Sequence, residues 1–188
     1  MNTAPDFKIR QQAESYLKAH NGWIESDTVA FRPYQIGKDM VVDRFTPNSW
    51  NMMFVNTNED DLKLWRKNFI DRYLLVSCDK KHHKPFGFLV IQELHDLKTA
   101  TFHGGIWAEN IHIMWQVFEG INCIIELLTS WGYNLQVTCF VNNIRADKMQ
   151  RALGFREFKQ EDGLSYKRLD EDSFLNNIVN RRKNLEER

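Results

Sequence analysis

Apolar positions along the chain change their spacing from one segment to the next, and the spacing predicts the elements. After Pro5, the residues Phe7, Ala13, Tyr16 and Leu17 fall at helical intervals, so 6–20 reads as a short first helix. Thr28 to Tyr34 (TVAFRPY) reads as a strand closed by Pro33. Asn58 opens an Asn-Glu-Asp-Asp cap, after which Leu62, Trp65 and Phe69 share one helical face. Three strands follow: Tyr73 to Cys78, Pro85 to Leu94 and Lys98 to Trp107, the last two forming a hairpin about His95-Asp96. A long helix then runs to about Trp131 and stops at Gly132-Tyr133-Asn134. Gln136 to Val141 is a strand, Ile144 to Leu153 a helix, and Gly154-Phe155 a sharp exit. Arg156 to Gln160 and Leu164 to Leu169 pair around Glu161-Asp162-Gly163. From Asp170 the tail reads as a charged helix with Phe174, Leu175 and Ile178 on one face. Antiparallel strands followed by strand–helix–strand units predict an α/β fold with a mixed, mostly antiparallel sheet flanked by helices.

Composition narrows the functional classes. Lys plus Arg and Asp plus Glu are both 25, so no net field draws the chain to nucleic acid or an acidic membrane. No apolar run reaches membrane-spanning length, and the N-terminus lacks a signal-peptide pattern, so a cytoplasmic protein is expected. Cys78, Cys123 and Cys139 are few, far apart and set in apolar runs, which predicts buried thiols and neither a disulfide nor a metal framework. His82-His83 lies in a polar turn (DKKHHK) and lacks the third ligand of a metal site.

Three places carry a resemblance to a known family. Phe31-Arg32-Pro33 with Asp39 is similar to the opening "LRP…D" of the ribosomal-protein N-terminal alanine acetyltransferase branch of the GNAT superfamily. Gly105-Ile106-Trp107 resembles its "GYW". Asn143-Ile144-Arg145-Ala146, followed by Gly154-Phe155, resembles its "N-x-x-S/A…LGF" segment with the spacing intact. The resemblance spans 28–169, leaving 1–27 as an N-terminal helical extension and 170–188 as a charged C-terminal helix. It implies splayed fourth and fifth strands, with the pantetheine arm of acetyl-CoA lying between them against backbone near Ile106 and Trp107. It further implies a pyrophosphate on the amides that open the next helix, with Gly120 and Asn122 as the local fit, and Asn143 reaching the cofactor. His103 and Glu109 stand where a base would deprotonate the acceptor amine.

The same residues depart from the family's phosphate loop, which reads roughly "R/Q-x-x-G-x-G/A". Val117 takes the basic position, Asn122 the last small one, and Glu119 precedes the single glycine. Met114, Val117, Phe118, Ile121, Ile125 and Leu128 keep one helical face straight through it, so the helix is expected to begin well before Gly120. Gln150 replaces a tyrosine acid found in many such enzymes, and an amide cannot serve as one at neutral pH. Asn143 also has a bland role as a helix cap, and Trp107, Trp115 and Phe118 suit a core or an acyl pocket. Two functional classes stay open. One is an acetyl-CoA-dependent N-acyltransferase acting on an amine-bearing peptide or small molecule. The other is a non-catalytic GNAT-fold component that binds protein partners or a second copy of itself, for example in a phage particle.

Overall fold

The structure, a computed structural model, describes residues 8–35, 39, 73–94, 98–106, 114–176 and 179. Among these residues one eight-stranded sheet has the order β1-β2-β3-β4-β5-β6-β8-β7. Its strands are β1 (Ile24–Glu25), β2 (Val29–Pro33), β3 (Tyr73–Asp79), β4 (Pro85–Leu94), β5 (Thr99–Ile106), β6 (Asn134–Phe140), β7 (Phe155–Glu161) and β8 (Leu164–Leu169). The helices are α1 (Lys8–Ala19), α2 (Met114–Ser130) and α3 (Ile144–Ala152), and residues 171–176 add a helical turn and a half. Strands β1 to β5 form an antiparallel meander, β6 lies parallel to β5, and β8 runs antiparallel to both β6 and β7. The two-residue β1 has no counterpart in the predicted elements, so the predicted fourth and fifth strands are β5 and β6. The predicted helix over 58–69 lies outside the described residues.

Parallel β5 and β6 require a crossover, which α2 supplies, and α3 does the same between β6 and β7. Right-handed crossovers running in one direction along a sheet place both helices on one face. The core agrees: Ile121, Ile124, Ile125 and Leu128 of α2, with Leu153, pack on Val29, Phe31, Leu89, Ile91, Leu135 and Val137. Ile9, Ala13 and Leu17 bring α1 into the same cluster. Glu93 fixes that helix: its carboxylate accepts from the Ile9 amide at 3.2 Å and from the Tyr133 hydroxyl at 3.1 Å. The carboxylate thus ties the first described turn of α1 to β4 and to Tyr133. The opposite face of the sheet carries Val76, Cys78, Phe88 and Val90, with Trp23 and Tyr34 against them.

The Phe-Arg-Pro…Asp spacing has a physical reason. Arg32 donates two parallel hydrogen bonds of 2.7 Å to the two oxygens of Asp39, and the Gln35 amide adds a third of 2.8 Å. A planar fork on a carboxylate needs this geometry, and it anchors the chain leaving β2. Cys78 and Cys139 are buried as expected, whereas Cys123 is half-buried. Burial pushes both Cys78 and Cys123 up to about 11, far from thiolate chemistry at neutral pH. At the C-terminus the expectation holds in part. Phe174 is buried, its backbone closing on Gly154, but Leu175 is 58% exposed because the short helix turns that side to solvent. Phe7 and Ile178 lie outside the described residues.

Helix α2 begins at Met114, as the unbroken apolar stripe predicts, and its residue Gly120 is buried. A Cβ added there would meet Val29 Cγ1 at 3.0 Å, Val29 Cβ at 3.1 Å and Phe31 Cζ at 2.9 Å. The helix therefore approaches β2 as closely as it does only because Gly120 has no side chain. Alanine would gain about 1 kcal/mol of helix propensity. It would also force a β-branched strand residue to move, at about 1–3 kcal/mol. We expect Gly120→Ala to destabilise the fold by a net ~0–2 kcal/mol and to lower the melting temperature accordingly. A raised melting temperature would show that the contact with Val29 is not tight.

Candidate functional site

Strand β5 is hydrogen-bonded to β4 along its whole length, from Leu94↔Thr99 to Gly87↔Ile106. Its other edge meets β6 only at Thr99↔Asn134, Ala100↔Leu135 and Thr101↔Gln136. Beyond that point the two strands part, while β6 stays paired with β8 from Gln136↔Arg168 to Phe140↔Leu164. The result is a wedge-shaped opening between Phe102–Ile106 and Val137–Phe140, as expected for the splayed fourth and fifth strands. Strand edges facing such an opening carry main-chain donors and acceptors that a sheet would otherwise pair. On the helical side the wedge is backed by Phe102, whose ring meets that of Phe155 edge-on at 5.8 Å.

Alternation along β5 sorts the predicted residues between the two faces. Phe102 is buried in the helical-side core, and Ile106 packs against that core from the wide end of the opening. His103 stands directly across from Val90 and so faces the other side of the sheet, where it is exposed. Trp107 and Glu109 lie outside the described residues. Gly120 and Asn122 sit well inside α2, where helical geometry commits their amides to carbonyls one turn back. Glu119 is turned away from the opening. Its carboxylate accepts from the Asp27 amide at 2.7 Å, the Thr28 amide at 3.2 Å and the Thr28 hydroxyl, closing the turn between β1 and β2. Phe118 is half-buried and packs on the core.

At the end of β6, Asn143 caps α3, its Oδ1 accepting from the Ala146 amide at 3.1 Å. Gln150 is buried, with Nε2 donating to the Thr138 carbonyl at 3.3 Å and Oε1 accepting from Lys167 at 3.0 Å. The amide is thus locked against β6, in keeping with its unfitness as an acid. Among the described residues there is no cluster of three His, Cys, Asp or Glu able to hold a metal ion, and no helix long and apolar enough to cross a membrane. His82 is held by Asp79 at 3.0 Å in the exposed turn, as the sequence suggests.

Neither a protein-family model nor a curated protein sequence matches the chain. Solved structures do. A GNAT-family acetyltransferase from Bacillus anthracis superposes with a TM-score of 0.63 at 13% identity, over 80% of this chain and 99% of that one. A protein assigned as a GNAT acetyltransferase from Chromobacterium violaceum gives 0.67 at 13%, over 81% and 88%. One assigned as a ribosomal-protein-serine acetyltransferase from Vibrio cholerae gives 0.57 at 13%, over 78% and 95%. Identities this low show the fold. The chain has the GNAT fold, with the mixed, mostly antiparallel sheet and parted strands that the resemblance implied.

A buried lysine behind the opening escaped the sequence reading. Lys167 on β8 is fully buried, and its ammonium reaches Gln150 Oε1, Cys139 Sγ at 3.1 Å and Asp147 Oδ1 at 3.1 Å. The available signal was a strand, LSYKRL, in which lysine occupies an inward position of the alternation two residues after Ser165. The Arg151 hydrogen bond, opposed by burial and aided by Lys167, holds the Asp147 carboxyl below its ordinary value. A depressed carboxyl pKa contributes stability above about pH 4 that is lost as pH falls through the folded value. Removing the carboxylate alone leaves a buried charge without its counter-ion. Asp147 is itself partly exposed, so we expect Asp147→Ala to cost about 2 kcal/mol at pH 7, a cost that shrinks as pH falls below about 4 through the lowered folded value. Adding Lys167→Met should restore most of that loss. Additive losses in the double variant, measured by denaturant unfolding, would contradict the pairing.

Proposed function

We propose that this chain is an N-acyltransferase that moves an acyl group from a pantetheine thioester, such as acetyl-CoA, to the amine of a peptide or small molecule. The parting of β5 from β6 carries the reading. Pantetheine is an extended chain with two amide groups, so it can lie between the strand edges as an added strand, exchanging hydrogen bonds with backbone near Ile106 and Trp107. The thioester would then rest near the apex of the wedge, close to Phe102 and His103. Main-chain donors there would polarise its carbonyl as negative charge develops on oxygen.

The acceptor amine approaches on the exposed face that bears His103. Its nitrogen must be neutral to attack, and imidazole is suited to taking up the proton near neutrality. Glu109 is the second candidate for this role on sequence grounds. Attack forms the C–N bond and breaks the C–S bond. The sulfur leaves as a thiolate and takes its proton from water, since Gln150 cannot supply one. Asn143 stands at the wide end of the wedge, where its cap role and a contact to the donor are compatible.

One set of observations favours the second reading, a GNAT-fold component that binds protein partners without catalysis. Glu119, Gly120 and Gln150 all serve packing or internal hydrogen bonds, leaving the family's phosphate loop without its glycine. Thiol release with amine acceptors separates the two. We expect release from an acyl-pantetheine thioester, and His103→Ala should slow it about 10²-fold. As an exposed position, it should move stability by no more than ~0.5 kcal/mol. Binding of the thioester without release from any acceptor would favour the non-catalytic component.

A further inference from the structure

We infer that the wedge recognises its donor through the pantetheine portion alone, so that thioesters lacking the nucleotide serve as well as acyl-CoA. The inference rests on the acyltransferase reading and specifies the donor class for it. From Thr99 to Ile144 the sequence contains no lysine or arginine, while Glu109, Glu119 and Glu126 fall within it. That span holds β5, α2 and β6, which are both walls of the opening and the helix between them. The three phosphates of a CoA nucleotide would leave the wide end of the wedge beside elements that offer no fixed cation. Affinity for such groups comes chiefly from charge-assisted hydrogen bonds to arginine and lysine, which these elements cannot make.

Among the described residues, the amides of Gly120 and Asn122, which the resemblance assigns to a pyrophosphate, offer no substitute, because both lie inside α2. Gly120 is buried against Val29 and Phe31 inside the helix, and Glu119 is occupied with the β1–β2 turn. Beside Asn142 and Asn143, two apolar side chains are exposed at the wide end. Val141, just past β6, is 49% exposed, and Ile144, which opens α3, is 64% exposed. An apolar lip suits the methylenes and the paired methyl groups of the pantoyl unit, and it gives nothing to a phosphate. The first fixed cation after the opening is Arg145, beside Ile144 on the first turn of α3.

The test compares donors on the intact chain: acetyl-CoA, S-acetylpantetheine and an acetylated carrier protein bearing a phosphopantetheine arm, with adenosine 3′,5′-bisphosphate as competitor. We expect acetyl-CoA and S-acetylpantetheine to bind within about threefold of each other. Their affinities should change little between low and ~0.3 M salt, where screening would weaken a phosphate contact. The bisphosphate should not compete, and Arg145→Ala should leave the ratio unchanged. Val141→Ser with Ile144→Ser should weaken both donors alike. Faster transfer from the carrier would identify a protein-borne arm as the source. Equal transfer would identify the free thioester, and either supports the inference. A preference for acetyl-CoA of about a hundredfold, lost at high salt or in Arg145→Ala, would overturn it while leaving the acyltransferase reading intact. Failure of every thioester to bind would overturn the acyltransferase reading itself, and the inference with it.

Discussion

Strand β5 cannot follow two neighbours at once. Its pairing with β4 runs unbroken to Ile106, and β6 is bound to β8 from Gln136 onward, so the β5–β6 ladder ends after Thr101↔Gln136. The wedge-shaped opening depends on that competition. Each strand keeps one paired edge, β5 along β4 and β6 along β8. Aromatic packing of Phe102 on Phe155 fills the space behind. An extended, amide-bearing ligand is the occupant proposed for the wedge, because such a chain can pair with a strand edge as an added strand.

Helix α2 shows how a familiar frame can keep its shape while its parts change work. Gly120 lets the helix press on β2, and Glu119 ties the helix to the β1–β2 turn through two amides and a hydroxyl. Both are stabilising roles, and both remove groups from the phosphate-binding duty that the resemblance assigns to this stretch. On the other wall, Lys167 and Asp147 brace Gln150 against β6 in place of a tyrosine acid. The frame thus preserves the opening while Glu119, Gly120 and Gln150 serve packing and internal hydrogen bonds.

Periodicity made the strands and helices legible, because each buries one face and so repeats at two or 3.6 residues. Strand β4 was readable to its ends, and α2 was readable through the loop motif because Met114, Val117, Ile121, Ile125 and Leu128 kept one face. Strand β1 was not, since two residues carry no period. The Arg32–Asp39 fork could be matched as a motif, but its cause lay in a contact that closes only after β2 turns. Lys167 was invisible for a different reason. A lysine is buried only when its partners come from other elements, here Cys139, Gln150 and Asp147, and no local pattern announces them. Leu175 misled in the opposite direction, its helical spacing with Phe174 suggesting a burial that the short C-terminal helix does not provide.

Amide hydrogen exchange along the parted strands tests the central claim most directly, because it reads the main-chain groups on which the donor would lie. With saturating S-acetylpantetheine, the amides of Phe102–Ile106 and Val137–Phe140 should slow by about tenfold or more, while those of β7 stay unchanged. Unchanged exchange at both walls of the wedge, with protection arising elsewhere on the chain, would contradict the account.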